Sequence, residues 1–362
     1  MSSADHQPGI SKSSALEAPS GDPSPIFEAF RGCHSTELLT AAVAHFDVFT
    51  KLAAGALESS RLQEDLALAE RPFLVLTTAL KALGLITGRA DGMVELTDLA
   101  GEHLLEGGKF YVGDYIRLAA DSPGVLNLVD LLRTNRPPGS DPDEAGAAYI
   151  YRDGIKSAMD DEEAARFLTM ALAGRAANVA PHLARAFPLE GSKLLLDVAG
   201  GSGIYSAALL QANPGLRAIV WERPEVVKVA LDLAAQYDLG DRLECAAADM
   251  FVDEIPAGVD TILLSNVLHD WDVPECRSLV ARLAEALPPG GRLLVHDVFL
   301  NDELDGPLPI ALYSAALFSL TEGRAYSVAE YTSWLEEAGL RTGKLAGTLV
   351  HCGVLAGIKD GE

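Results

Sequence analysis

The chain has 362 residues, of which 49% are hydrophobic and 22% are charged, and its formal net charge is −24. This composition is typical of a globular protein long enough for two domains. The acid excess repels nucleic acid and anionic lipid, so neither is expected as a partner. No apolar run approaches the roughly 18 residues of a membrane helix, so no membrane span is expected.

Residues 1–25 are polar and lack the apolar segment of a signal peptide, so a disordered tail is expected there. The four cysteines are far apart and form no CxxC pair. This spacing favours reduced thiols in a cytoplasmic protein over a zinc site or a disulfide framework.

Residues 26–188 are predicted to form an α-helical domain with linker helices, because apolar residues recur at helical spacing over 26–54, 61–83, 109–135 and 149–187. Residues 85–96 predict a hairpin whose turn contains Asp91-Gly92, which gives a winged-helix pattern. Seven acids against four bases between Ser60 and Leu105 argue against DNA binding. The winged helix is therefore predicted to be scaffold or dimer contact.

Residues 189–362 alternate between apolar strands and helices, which predicts an α/β domain with a doubly wound, Rossmann-like sheet. The predicted strands are 194–198, 217–221, 243–246, 259–265, 291–298 and 349–356.

The first of these strands runs into a turn made almost without side chains, Ala199-Gly200-Gly201-Ser202-Gly203, and the next strand ends on Glu222. Small residues let backbone N–H groups approach a ligand, and an acid about 20 residues beyond the loop suits ribose hydroxyls. The GxGxxG spacing of pyrophosphate binders is missing. A nucleoside without pyrophosphate, S-adenosylmethionine (SAM), is therefore favoured over NAD.

Polar and aromatic residues follow three later strands, at the sheet edge where such folds bind ligands. They are Asp249-Met250-Phe251, the run from Ser265 to Trp271 that includes His269, and His296-Asp297. A histidine near neutral pH is the usual general base. Asp297 is placed to orient His269, which leaves His296 on the opposite face as a structural residue.

These motifs, in this order over residues 26–358, resemble the class I SAM-dependent methyltransferases of the plant and bacterial small-molecule O-methyltransferase type. The resemblance implies a homodimer formed through the winged-helix domain and a general base, His269, that removes the proton of an acceptor hydroxyl. It implies the catalytic residues His269, Asp297 and Glu322. It also implies cofactor contacts from Asp197, Gly200, Gly201, Gly203, Glu222, Asp249, Met250, Phe251, Ser265 and Trp271.

The sequence departs from the family pattern around the base. Asp297 replaces a longer Glu, and Ala325 falls where plant members carry a second Glu, with Glu322 nearby. A second reading follows, in which His269, Asp297 and Glu322 hold a divalent metal for methylation of carbon in a 2-oxo acid. A third class, relatives that bind SAM and act as hydroxylases or without methylating, is less favoured because His269 is present.

The acceptor is expected to be a small, partly apolar aromatic or oxo-acid molecule. Its pocket is predicted between helices 149–187 and 305–322, with apolar candidates Phe167, Met170, Leu312, Tyr313 and Phe318.

Overall fold

A computed structural model describes residues 14–136 and 162–361, apart from the side chain of Ala164. Two layered parts follow one another along the chain, the first mostly helical and the second built on a large sheet. Within these residues, no helix has the length and apolar character needed to cross a membrane.

The N-terminal part is a bundle of short helices with a small wing. Its helices are α1 (Ser24–Arg31), α2 (Ser35–Ala44), α3 (Val48–Leu52), α4 (Ser59–Leu66), α5 (Glu70–Ala82), α6 (Asp98–His103), α7 (Gly113–Arg117) and α8 (Pro123–Thr134). Its strands β1 (Leu57–Glu58), β2 (Ile86–Gly88) and β3 (Met93–Leu96) form an antiparallel sheet in the order β1-β3-β2. The predicted hairpin is confirmed, with Ile86 paired to Leu96.

The second part is a nine-stranded sheet covered by helices. Its helices are α9 (Glu162–Ala186), α10 (Ile204–Ala212), α11 (Pro224–Ala234), α12 (Val273–Ala286), α13 (Leu308–Leu320) and α14 (Val328–Glu337). Its strands are β4 (Leu194–Val198), β5 (Arg217–Glu222), β6 (Leu243–Ala247), β7 (Thr261–Ser265), β8 (Arg292–Leu300), β9 (Tyr326–Ser327), β10 (Leu340–Thr342), β11 (Ala346–Gly347) and β12 (Cys352–Lys359).

The main path of the sheet runs β10-β12-β8-β7-β4-β5-β6. Strands β4 to β8 pair in parallel, and β12 lies antiparallel beside β8. Apolar side chains of α9, α10 and α11 pack on one face, and those of α12 and α14 pack on the other. The predicted doubly wound α/β class is confirmed, and the parallel strands direct their carboxyl ends to one edge.

Several predicted boundaries differ from the structure. The predicted helical stretch 26–54 is divided into three helices, and the last long strand begins at Cys352 because Val350 and His351 adopt left-handed backbone conformations. The short strand β10 was not predicted. Residues 149–161 of the predicted helix 149–187 lie outside the described residues.

Two contacts concern the predicted tail and the predicted domain boundary. Ala15 is buried and its N–H donates to Gln211 Oε1 at 2.8 Å, so this part of the predicted tail packs against the sheet domain, whereas residues 1–13 lie outside the described part. Helix α9, which was predicted to belong to the N-terminal domain, packs on α10 and α11 of the sheet domain. The C-terminal part also contributes to the N-terminal core, because Leu312 and Phe318 of α13 are buried there.

Candidate active site

The loop after β4 is the first element of the site. Asp197, near the end of β4, is fully buried, and its Oδ2 accepts from Ser206 Oγ at 2.6 Å while Oδ1 has no partner. Burial raises the pKa of Asp197 to about 7. A Cβ on Gly200 would lie 2.6 Å from the Asp197 carboxyl carbon, so the loop backbone fits against the acid only without a side chain.

Glu222 closes the other side of this loop. Its Oε1 accepts from the Gly201 N–H at 3.1 Å and its Oε2 from the Arg223 N–H at 2.7 Å. Burial raises the pKa of this carboxyl, although the two backbone donors oppose that effect. The predicted loop residues and the predicted ribose acid are therefore adjacent.

The residues after β6 turn towards the same edge of the sheet. Asp249 is exposed, and its Oδ1 accepts from the Phe251 N–H at 2.8 Å, which means that its side chain caps the turn. Phe251 meets Trp271 edge to face with ring centroids 4.6 Å apart. Met250 is partly buried next to this pair.

Ser265, the last residue of β7, contacts a buried histidine. Its Oγ lies 2.8 Å from His296 Nδ1, and His296 Nε2 lies 3.2 Å from Thr348 Oγ1. Burial lowers the pKa of His296 to about 3, so this imidazole stays neutral. Its place in the interior of β8 agrees with a structural role.

His269 lies in a short 3₁₀ turn, Leu268–Asp270, directly after β7. Its Nδ1 lies 2.5 Å from Asp297 Oδ1 on β8. Asp297 also accepts from the Val298 N–H and from Tyr331 Oη, and His269 lowers its pKa against the effect of burial. An ionised Asp297 accepts the Nδ1 proton, which leaves Nε2 of a neutral His269 with a free lone pair.

A second carboxyl, Asp270, lies on the Nε2 side of the imidazole. Its Oδ1 is 3.5 Å from His269 Nε2, and burial raises the pKa of Asp270 to about 6. Burial alone would lower the pKa of His269, but the charges of Asp297 and Asp270 outweigh it and raise that pKa.

Glu322, the third predicted catalytic residue, adjoins the turn of the base through its backbone. Its N–H donates to the Asp270 carbonyl at 3.2 Å, so its backbone adjoins the turn of the base, yet its carboxylate is one of the charges that act on Arg71. Among residues 14–136 and 162–361, no three His, Cys, Asp or Glu side chains are grouped as metal ligands. The set His269, Asp297 and Glu322 is therefore not assembled as the metal reading requires.

The turn that carries His269 is tightly supported. A Cβ on Gly323 would lie 2.2 Å from the His269 carbonyl oxygen. Arg71 from α5 donates to the carbonyls of Thr321 and Gly323, and Tyr326 Oη donates to the Trp271 carbonyl at 2.6 Å. The helical domain thus holds the segment that packs against the base.

Comparisons with known proteins agree with this geometry. The O-methyltransferase domain family matches residues 143–341. A 3-hydroxy-5-methyl-1-naphthoate 3-O-methyltransferase from Streptomyces sahachiroi is 34% identical over 344 residues, which cover 93% of this chain and 95% of the relative.

The chain belongs to the O-methyltransferase family. The crystal structure of another O-methyltransferase family 2 protein, from Planctomyces limnophilus in complex with apigenin, is 48% identical and has a TM-score of 0.87, covering 97% of this chain and 100% of that one. Human N-acetylserotonin methyltransferase in complex with SAM shares the fold, at 22% identity and a TM-score of 0.57, covering 95% and 100% of the two chains. This O-methyltransferase is therefore a SAM-dependent enzyme with a small-molecule substrate.

The loop of this O-methyltransferase fits a bound nucleoside, since Asp197 Oδ1 is a buried acceptor without a partner beside backbone that no Cβ obstructs. Sequence reasoning missed three polar residues around the site. Asp270 lies in the run from Ser265 to Trp271, in which only His269 was given a catalytic role. Arg175 on α9 and Tyr205 on α10 lie in helices without a recognised motif, and only helix packing brings them close to each other and to Ser265.

The five residues predicted to line the acceptor pocket lie in different places in the structure. Tyr313 packs edge to face against the His269 ring, with the two ring centroids 6.2 Å apart. Phe167 and Met170 are exposed, and Leu312 and Phe318 are buried in the N-terminal core. Of the five candidates, Tyr313 is the one placed against the base.

Proposed function

We propose that this enzyme methylates a hydroxyl group of an aromatic small molecule and that His269 is the general base. The observation that supports the proposal most is the buried pair of His269 and Asp297. Asp297 Oδ1 lies 2.5 Å from His269 Nδ1, which leaves Nε2 to accept a proton. Named relatives support the aromatic acceptor, since one methylates a hydroxynaphthoate and a neighbouring structure contains apigenin.

SAM, when bound, supplies a methyl group made electrophilic by a sulfonium. The protein's part is to position the acceptor oxygen and to take its proton, which accounts for much of such catalysis. His269 Nε2 accepts the hydroxyl proton, and the resulting imidazolium is stabilised by Asp297 on one side and Asp270 on the other.

The proposal includes the cofactor contacts, which the arrangement of the loop and of its neighbours supports. Gly200, Gly201 and Gly203 offer an unobstructed backbone, Glu222 accepts from the ribose hydroxyls, and the turn Asp249-Met250-Phe251 with Trp271 encloses the adenine. Ser265 and Asp197 border the methionine end. Arg175 lies beside Tyr205 there, and its guanidinium suits the methionine carboxylate.

The test is a transfer assay with methyl-labelled SAM. One panel contains phenols and hydroxynaphthalenes and the other contains 2-oxo acids, each with and without a chelator. Label on oxygen of an aromatic acceptor, unchanged by chelator and lost in His269→Gln, is the expected result. Label in a 2-oxo acid that disappears with chelator would replace the proposal with the metal-assisted carbon methylation.

A further inference from the structure

Arg31, at the end of α1, is a buried cation next to the catalytic site. Only 3% of its surface is exposed. Its Nη1 donates to the Val350 carbonyl at 2.8 Å, and its guanidinium lies over the rings of Tyr313, at 4.5 Å, and Phe27, at 5.5 Å. A carbonyl, two aromatic faces and the neutral Cys352 side chain are thus among its surroundings.

These contacts leave the Arg31 charge without an anion. Its Nη2 is buried and donates to no acceptor. No carboxylate within the two described ranges forms an ion pair with it. Burying a charged group is costly unless an opposite charge and hydrogen bonds compensate for it, and aromatic faces compensate only weakly. Among residues 14–136 and 162–361, the Arg31 guanidinium therefore has no anionic partner.

The position of Arg31 indicates where that partner comes from. Tyr313 lies between Arg31 and His269. Its ring centroid is 4.5 Å from Arg31 Cζ and 6.2 Å from the centroid of the His269 ring. An aromatic acceptor whose hydroxyl reaches His269 therefore lies against the same tyrosine that Arg31 covers. A guanidinium binds a carboxylate through parallel N–H donors, which suits an anionic group on that acceptor.

We propose that Arg31 recognises a carboxylate on the aromatic acceptor, so that the substrate class is a hydroxyaryl carboxylic acid. This inference rests on the proposed O-methylation and adds the anionic group and the residue that selects it. The carboxylate accepts from Nη2, while His269 takes the proton of the hydroxyl at another position of the same molecule.

The experiment compares 6-hydroxy-2-naphthoate with its methyl ester, which is the same aromatic alcohol without the negative charge. Wild-type enzyme is expected to show a kcat/KM about 10- to 100-fold higher for the acid, the range of one charge-assisted hydrogen bond. In Arg31→Gln this preference is expected to disappear through a raised KM for the acid, with the ester little changed. Arg31→Lys, which keeps the charge, is expected to retain part of the preference.

Arg133→Gln is the matched control, because Arg133 also lies over an aromatic ring, that of Phe46, but on the exposed side of α8. It is expected to keep the preference for the acid. S-adenosylhomocysteine affinity and thermal unfolding of each variant show whether the fold and the cofactor site are intact.

Binding of 2-naphthoate, which has no hydroxyl to methylate, separates this inference from the proposed function. If 2-naphthoate binds wild-type enzyme but not Arg31→Gln while neither alcohol is methylated, the anion site stands and O-methylation fails. If acid and ester are methylated equally well, or Arg31→Gln slows both equally, O-methylation stands and the inference is wrong.

Discussion

The buried imidazole of His269 lies between two carboxyl groups. Which ring nitrogen each carboxyl adjoins determines its role in proton transfer. Asp297 fixes the Nδ1 tautomer, and Asp270 lies 3.5 Å from Nε2, where the proton arrives. Their combined charge raises the pKa of His269. A base with a raised pKa binds the proton more strongly, but it must be neutral before it can react.

Replacing His269 by Gln removes the proton acceptor without a large change in volume. We expect kcat to fall by about 10²- to 10⁴-fold, the usual contribution of a general base. Affinity for S-adenosylhomocysteine is the control, measured by calorimetry, and it is expected to stay near the wild-type value. A kcat within about threefold of wild type would contradict the assignment of the base.

Asp297→Asn tests the electrostatic part of the site. The pH profile of wild-type kcat/KM is expected to rise through a pKa above about 6.5, the ordinary histidine value, because His269 has to lose its proton. Removing the Asp297 charge lowers the pKa of His269, so the rising limb is expected to shift to lower pH while the plateau falls. A limb that shifts to higher pH would show that Asp297 does not stabilise the imidazolium.

At the scale of elements, the turn between β4 and α10 depends on close packing of backbone against one buried acid. Asp197 is anchored by Ser206 from α10, and Gly200 lies directly over the carboxyl. Contacts of Asp197 therefore link β4, the glycine turn and α10 to one another. The neighbouring element, the turn before β9, packs in a similar way against His269 through Gly323.

Gly200→Ala is expected to weaken S-adenosylhomocysteine binding by about 10- to 100-fold, since the added Cβ would lie 2.6 Å from the Asp197 carboxyl carbon and displace the loop. Gly215→Ala is the matched control, because no atom lies within 4 Å of its Cβ position. Isothermal titration of both variants measures the effect. Equal affinities would mean that the loop adapts without consequence for the cofactor.

For the whole molecule, the surface of the N-terminal part is the informative feature. Phe30, Tyr115 and Leu118 are each about four-fifths exposed on α1 and at α7. The net charge of −24 argues against nucleic acid as a partner of this winged helix, whereas exposed apolar side chains suit a protein partner. We therefore expect the homodimer to form through this surface.

Leu118→Asp is expected to weaken dimerisation by about tenfold or more, because a charge would be buried at the interface. The control is Leu231→Asp on the exposed side of α11 in the sheet domain, which should leave the dimer intact. Light scattering coupled to size-exclusion chromatography distinguishes the two species. A wild-type protein that is monomeric at all concentrations would rule out the predicted dimer.

The sequence by itself determined the features that are local in the chain. The strand, glycine turn and second strand of residues 194–222 and the hairpin at 86–96 depend on neighbouring residues, and they form where they were predicted. The carboxyl ends of parallel strands must meet at one edge, so the sequence also predicted that Glu222, Ser265, His269 and Asp297 would lie together.

Only the tertiary structure decided which side chains complete the site. Asp270 approaches His269 Nε2 to 3.5 Å, and the course of the turn that brings it there is not recorded by periodicity. Arg31 reaches Tyr313 across 282 positions of the chain (313 minus 31), where α1 packs on α13. Such contacts depend on how domains pack, a long-range arrangement that no local pattern of residues encodes.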